Sequence, residues 1–67
     1  MDSKIYIGRR IKELREARGL TQAGLAEKAG LLQANLARVE SGRYSTGLDI
    51  LSRIAEALGC RIDLIEE

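Results

Sequence analysis

The chain has 67 residues, one cysteine, no histidine and a formal net charge of +1 at pH 7, and this length is enough for one domain. A lone cysteine cannot form an intrachain disulfide, and a structural zinc site needs more Cys or His ligands than the sequence holds, so we expect no metal and no cofactor. There is no apolar run of roughly 18 residues that would span a membrane. A signal-peptide pattern is also missing, and we therefore expect a cytoplasmic protein that does not bind membranes.

Charge is distributed unevenly along the chain. Residues 1–43 hold nine Lys or Arg against five Asp or Glu, a net charge of +4. Residues 44–67 hold two against five, a net charge of −3. Such asymmetry within one small domain is typical of a basic face that meets a polyanion, although most charged faces are simply solvated.

Hydrophobic residues recur at helical spacing in four segments, and a glycine follows each segment. The predicted helices cover about residues 5–18, 22–29, 33–41 and 48–58. The glycines that end them are Gly19, Gly30, Gly42 and Gly59. Thr21 occupies the N-cap position of the second predicted helix, whereas Leu32 occupies that of the third and cannot cap it. We expect a single domain over residues 1–67.

The segment "CRIDLIEE" after the fourth predicted helix alternates between apolar and polar residues, as a short strand does. The predicted strand consists of Arg61, Ile62, Asp63, Leu64 and Ile65. The sequence offers no second strand candidate, and an isolated strand is not stable. We therefore expect this segment to pair with its symmetric copy in a homodimer.

The third predicted helix lies within "GLLQANLARVESGR" and has two contrasting faces. Leu32, Leu36 and Val39 form the face that is expected in the core. The opposite face carries Gln33, Ala34, Ala37, Arg38 and Ser41. Small side chains at the centre of a face let a helix enter the DNA major groove, where Gln reads adenine, Arg reads guanine and Ala contacts the thymine methyl group. The alternative is that alanine occurs here only because it favours helix.

Four motifs follow one another at uninterrupted spacing: "RIKELREARGLTQ", "LAEKAG", "VESGR" and "IAEALG". Together they make residues 8–59 similar to the Cro/CI-type (XRE) helix-turn-helix domain of phage repressors and many small bacterial regulators. The resemblance implies an all-α fold, a compact four-helix, lambda-repressor-like helix-turn-helix domain. The terminal segment is expected to add a short β-strand that pairs across a dimer.

The resemblance also implies roles for individual residues. Those that match base-reading positions are Gln33, Ala34 and Arg38. Those that match phosphate-contacting or positioning residues are Gln22, Asn35, Ser41, Arg43 and Tyr44, and Gln22 is further expected to touch Gln33. Arg15 and Glu40 match a salt-bridged pair that ties the first helix to the third. Two positions depart from the pattern, because Leu32 replaces a polar residue and Gly24 an acidic one.

These features predict a sequence-specific regulator that binds double-stranded DNA, most simply a repressor that occupies a palindromic operator as a homodimer. The terminal segment also resembles that of antitoxin members of the family, which would imply a toxin protein as a partner. The alternative is a protein-interaction module that retains the fold without binding DNA. An enzyme is not expected, because the sequence has no histidine and no Gly-rich phosphate loop.

Overall fold

The computed structural model describes residues 2–67 and shows four α-helices there. In chain order they are α1 (Ser3–Ala17), α2 (Gln22–Ala29), α3 (Gln33–Glu40) and α4 (Leu48–Ala57). The predicted all-α architecture of four helices is thereby confirmed, and each observed end lies within two residues of its predicted position. None of the helices within residues 2–67 has the length and apolar character that crossing a membrane requires.

Side chains cap the first two helices and not the last two. The Thr21 hydroxyl accepts a hydrogen bond of 2.9 Å from the Gly24 N–H, as expected of an N-cap. Asp2 accepts one of 2.9 Å from the Lys4 N–H, which explains why α1 begins earlier than hydrophobic spacing alone predicts. The N-cap position of α3 is Leu32, and it makes no side-chain cap.

The core lies between the four helices and contains one large, fully buried side chain from each of α2, α3 and α4. The buried hydrophobic residues are Ile11, Leu25, Ala26, Ala29, Leu36, Val39, Ile54 and Leu58. The predicted core face of the third helix is therefore confirmed for Leu36 and Val39. It is wrong for Leu32, which is 71% exposed. The reason is that Leu32 precedes the helix with an extended backbone (φ −74°, ψ 140°), so its side chain does not follow the helical rotation of α3.

Two glycines let α1 lie directly against the C-terminal end of α3. Gly8 is buried within α1, where a Cβ atom would lie 2.8 Å from the Glu40 carbonyl oxygen and would also clash with that of Val39. Gly42 has a φ of +76°, and a Cβ there would lie 2.8 Å from the Ile5 Cα. This close approach fixes the position of α3 relative to α1.

The predicted strand over residues 61–65 is not formed, and this prediction is wrong for the single chain. Residues 61–67 have no regular secondary structure, and none of residues 2–67 forms a strand with which they pair. The physical reason is that backbone N–H and C=O groups of a strand need a neighbouring strand as partner. The segment instead leaves apolar side chains in solvent, with Leu64 94% and Ile65 80% exposed.

Candidate nucleic-acid interface

Helices α2 and α3 are joined by a tight turn and form a helix-turn-helix. Gly30 ends α2 with a left-handed backbone (φ 70°), and the Leu31 N–H donates to the Ala26 carbonyl at 2.8 Å. Leu25 of α2 and Leu36 of α3 are both completely buried. Hydrophobic burial therefore holds the two helices at a fixed angle, and the outer face of α3 is left in solvent.

The outer face of α3 carries the predicted base-reading residues. Gln33, Ala34 and Arg38 are all exposed, and so is Asn35. Ala34 and Arg38 are four residues apart and therefore lie on the same side of the helix. We call Gln33, Ala34 and Arg38 the reading face: an amide, a flat centre and a guanidinium, all accessible to a ligand.

A buried network ties this helix pair to α1. The Arg15 Nε donates to Glu40 Oε2 at 2.7 Å and its Nη2 donates to Glu40 Oε1 at 3.1 Å, which makes the ion pair bidentate. Nη1 of the same arginine donates to the Leu20 carbonyl at 2.8 Å. These bonds to Glu40 raise the pKa of Arg15 above its ordinary value, against the opposing effect of burial. The structure thus contains the ion pair that the resemblance implies.

Gln22 joins this network and makes no hydrogen bond with Gln33 in the part of the chain that the structure describes. Its Nε2 donates to Glu40 Oε1 at 3.1 Å. An amide nitrogen has two hydrogens, so one N–H of Gln22 remains for another acceptor. Glu40 therefore orients Gln22 in the free protein, a role that the sequence alone did not reveal.

The loop after α3 folds back onto the end of that helix. The Ser41 hydroxyl donates to the Arg38 carbonyl at 2.7 Å and accepts from the Arg43 N–H at 3.4 Å. The Tyr44 ring lies beneath the Arg38 guanidinium, whose central carbon is 4.6 Å from the ring centroid. Arg43 is exposed at the edge of this loop. The loop thus brings Ser41, Arg43 and Tyr44 next to the reading face.

Arg53 of α4 holds the turn between α2 and α3, and sequence reasoning missed it. Its Nε donates to the Ala29 carbonyl at 3.0 Å and its Nη2 to the Gly30 carbonyl at 2.7 Å. These carbonyls belong to the end of α2, where backbone acceptors have no partner within the helix. No pattern in the sequence points to this contact, because the partners are 24 and 23 residues apart.

Within residues 2–67, no group of three or more His, Cys, Asp or Glu side chains is arranged to hold a metal ion. The helix-turn-helix family HTH_3 matches residues 11–65. The chain belongs to this family. This membership agrees with the resemblance to the Cro/CI-type domain and with the expectation that the chain is not an enzyme.

Two relatives in this helix-turn-helix family are each similar to most of this chain. The immunity repressor protein of Bacillus phage phi105 is 46% identical over 59 residues, which are 88% of this chain and 41% of that protein. An HTH-type transcriptional regulator of Methanothermobacter thermautotrophicus is 47% identical over 49 residues, which are 73% of this chain and 71% of that protein. The chain thus spans less than half of the phage repressor.

Solved structures of two regulators have the same fold as this chain. The restriction-modification controller protein C.AhdI from Aeromonas hydrophila superimposes with a TM-score of 0.86 at 33% identity, covering 91% of this chain and 92% of that one. The biofilm regulator SinR, solved in complex with DNA, superimposes with a TM-score of 0.77 at 31% identity, covering 81% of this chain and 87% of that one. The four-helix fold of this chain is therefore also found in these two regulators.

Proposed function

We propose that the chain is a sequence-specific regulator that binds double-stranded DNA in the cytoplasm and represses transcription by occupying an operator. The exposed reading face of α3 carries this proposal. Family membership supports it, since one relative is a phage immunity repressor and a structural neighbour was solved with DNA. The surplus of positive charge in residues 1–43 favours the same ligand.

In this proposal α3 is the recognition helix and enters the major groove. Gln33 and Arg38 would read base edges by hydrogen bonds, and Ala34 would contact a thymine methyl group. Gln22, with one N–H held by Glu40 at 3.1 Å, would donate the other to a backbone phosphate. Arg43 would add a charged phosphate contact. Asn35 and Ser41 would lie beside the phosphate backbone of the DNA. Phosphate contacts supply affinity and register, whereas the reading face supplies specificity.

The direct test is selection of duplexes from a random DNA pool by the purified protein, followed by binding of the selected duplex over a range of salt concentrations. We expect a defined consensus whose affinity falls steeply as salt rises, because phosphate contacts release counterions. If no sequence is enriched and binding shows no dependence on salt, the chain is better described as the interaction module that retains the fold without DNA binding.

Replacing Arg38 with alanine should change which base is preferred at one position of the consensus, with a loss of about 1–3 kcal/mol of discrimination. The control is Arg43→Ala, which removes an exposed charge outside α3 and should weaken binding to all sequences alike. Titration of both variants against the consensus duplex and its single-base variants measures the difference. If Arg43→Ala altered base preference and Arg38→Ala did not, the reading face would be assigned wrongly.

We also propose that two copies bind a palindromic operator, because each helix-turn-helix reads only one half-site. The exposed apolar side chains of residues 61–67 are the candidate contact between copies. We propose no toxin partner, because neither the phage repressor nor C.AhdI is named as an antitoxin and the strand that suggested one is not formed.

The double substitution Leu64→Asp and Ile65→Asp should convert a dimer into a monomer without unfolding the chain. Both side chains are exposed in the single chain, 94% and 80%, so neither contributes to the core. Sedimentation equilibrium measures the mass, and Leu32→Asp, at a side chain 71% exposed in the turn before α3, is the matched control. An unchanged mass for the double variant would show that this segment is not the contact.

A further inference from the structure

We infer that Tyr44 is a positioning residue for Arg38, and that the tyrosine acts through its ring and not through its hydroxyl. The inference rests on the proposed DNA-binding function, and it deepens that function by adding a specificity-determining residue outside α3. The observation behind it is the stacking of the Arg38 guanidinium over the Tyr44 ring, at 4.6 Å from the ring centroid. Within residues 2–67, no other arginine or lysine stacks on an aromatic ring in this way.

The geometry of the stack leaves the guanidinium free to read a base. A guanidinium is planar, and its N–H donors point outward in that plane. A ring against one face of the plane therefore occupies none of the donors. Guanine is recognised by two such donors that pair with its O6 and N7 atoms. The stacked Arg38, which is exposed, can thus make this bidentate contact without leaving Tyr44.

Contacts of the preceding loop residues place Tyr44 beside the end of α3 in the free protein. The Ser41 hydroxyl bonds to the Arg38 carbonyl at 2.7 Å, which ties the loop to the last turn of α3. Gly42 follows with a left-handed backbone and lies against Ile5 of α1. Tyr44 is 40% exposed, so its side chain is partly covered by the protein and partly open to solvent. A ring placed beside α3 in this way gives the guanidinium a surface on which to lie.

Stacking matters for specificity because an isolated arginine on a helix surface samples many rotamers. Ordering such a side chain on DNA costs conformational entropy and opposes binding. The same rotamer freedom lets the guanidinium reach alternative acceptors on a wrong base. When the side chain is already confined over a ring, less freedom is lost on binding and fewer alternative contacts are available. Arg43, which has no such partner among residues 2–67, is suited to a phosphate contact and not to reading.

This role differs from the one that the family resemblance assigned to Tyr44. A phosphate contact would use the hydroxyl, would not depend on Arg38 and would act on all DNA sequences alike. A positioning role would use the ring, would depend on Arg38 and would act at one base pair. The two roles therefore predict different results for phenylalanine and leucine at this position.

The experiment uses the full chain and the consensus duplex from the selection, together with duplexes changed at the base pair that Arg38 reads. Binding is measured for the wild type, Tyr44→Phe, Tyr44→Leu, Arg38→Ala and the double variant Arg38→Ala with Tyr44→Leu. We expect Tyr44→Leu to lower discrimination at that base pair by roughly two- to fivefold, the range of an exposed cation–π contact. Tyr44→Phe should keep wild-type discrimination at that base pair, because the ring is retained.

The double variant tests whether Tyr44 acts through Arg38. In the Arg38→Ala background, Tyr44→Leu should cause no further loss of discrimination, since the guanidinium to be positioned is gone. Arg38→Lys provides a second background: an ammonium keeps the charge but lacks the planar face, so Tyr44→Leu should matter less there. Circular dichroism establishes that each variant is folded.

Three results would overturn the inference. Equal losses for Tyr44→Phe and Tyr44→Leu would assign the role to the hydroxyl. A uniform loss of affinity for all duplexes in Tyr44→Leu would indicate a phosphate contact. An undiminished effect of Tyr44→Leu in the Arg38→Ala background would separate the tyrosine from the arginine. If the wild-type protein selects no DNA at all, the proposed function fails, and this result is distinguishable from the other three.

Discussion

Replacing Glu40 with alanine should lower the free energy of unfolding by about 3–5 kcal/mol, because it leaves a buried arginine without its counter-ion. The side chains of Arg15 and Glu40 are only 10% and 4% exposed, so removal of the carboxylate leaves the guanidinium charged, unpaired and poorly solvated. The variant also loses the acceptor of the Gln22 amide, at 3.1 Å. A core of this size supplies only about 3–5 kcal/mol in total. We therefore expect far-UV circular dichroism to show a largely unfolded chain.

Two further variants show whether the charge or the packing is responsible. Replacing both Arg15 and Glu40 with methionine removes the charges together and should restore much of the stability, because no unpaired charge remains. The control is Asp63→Ala, which breaks the exposed pair with Arg61 at 3.9 Å. This control should change the free energy of unfolding by no more than about 0.5 kcal/mol. If Glu40→Ala were as mild as Asp63→Ala, the buried network would not stabilise the fold.

Gly8→Ala should destabilise the protein, although alanine is the better helix former. Alanine in place of glycine inside a helix normally adds about 0.5–1 kcal/mol. Here the added methyl group would meet backbone atoms of α3, the carbonyl oxygens of Val39 and Glu40, the latter at 2.8 Å. Backbone cannot rotate aside as a side chain can, so α1 must shift away from α3. We expect a net loss of about 1–3 kcal/mol, measured by urea denaturation.

The matched control for this prediction is Gly24→Ala in α2. A Cβ at Gly24 would meet no other helix, only the Thr21 hydroxyl oxygen at 3.2 Å and the Leu20 side chain at 3.8 Å. We expect the free energy of unfolding of this variant to be unchanged or to rise by up to about 1 kcal/mol. Equal destabilisation by the two substitutions would mean that the close approach of α1 and α3 is not what requires Gly8.

Gly24 takes part in the N-cap of α2 through its backbone. Its N–H donates to the Thr21 cap at 2.9 Å. Any residue except proline has this N–H, so neither the cap nor a contact with a neighbouring helix requires glycine at this position. A Cβ at Gly24 would meet no atom of α3 within 4 Å, so we expect the departure from the family pattern at this position to leave the reading face in place.

The amino-acid sequence determined the helices and the exposure of the reading face. Helical spacing, the Thr21 cap and the terminating glycines are local signals, which depend on residues only a few positions apart. Burial of Leu36 and Val39 then forces Gln33, Ala34 and Arg38 outward, because a helix has a fixed rotation per residue. The Arg15–Glu40 pair was reached through the family resemblance, since the partners are 25 residues apart.

Only the tertiary structure decided how the site is held together. The contact of Gln22 with Glu40 joins residues 18 positions apart. The contact of Arg53 with Gly30 joins residues 23 positions apart. Such contacts depend on the angles and distances at which helices cross, and no local pattern encodes these quantities. The terminal segment shows the opposite failure: its alternation is a valid strand signal, yet a strand forms only where another strand lies beside it, and residues 2–67 provide none.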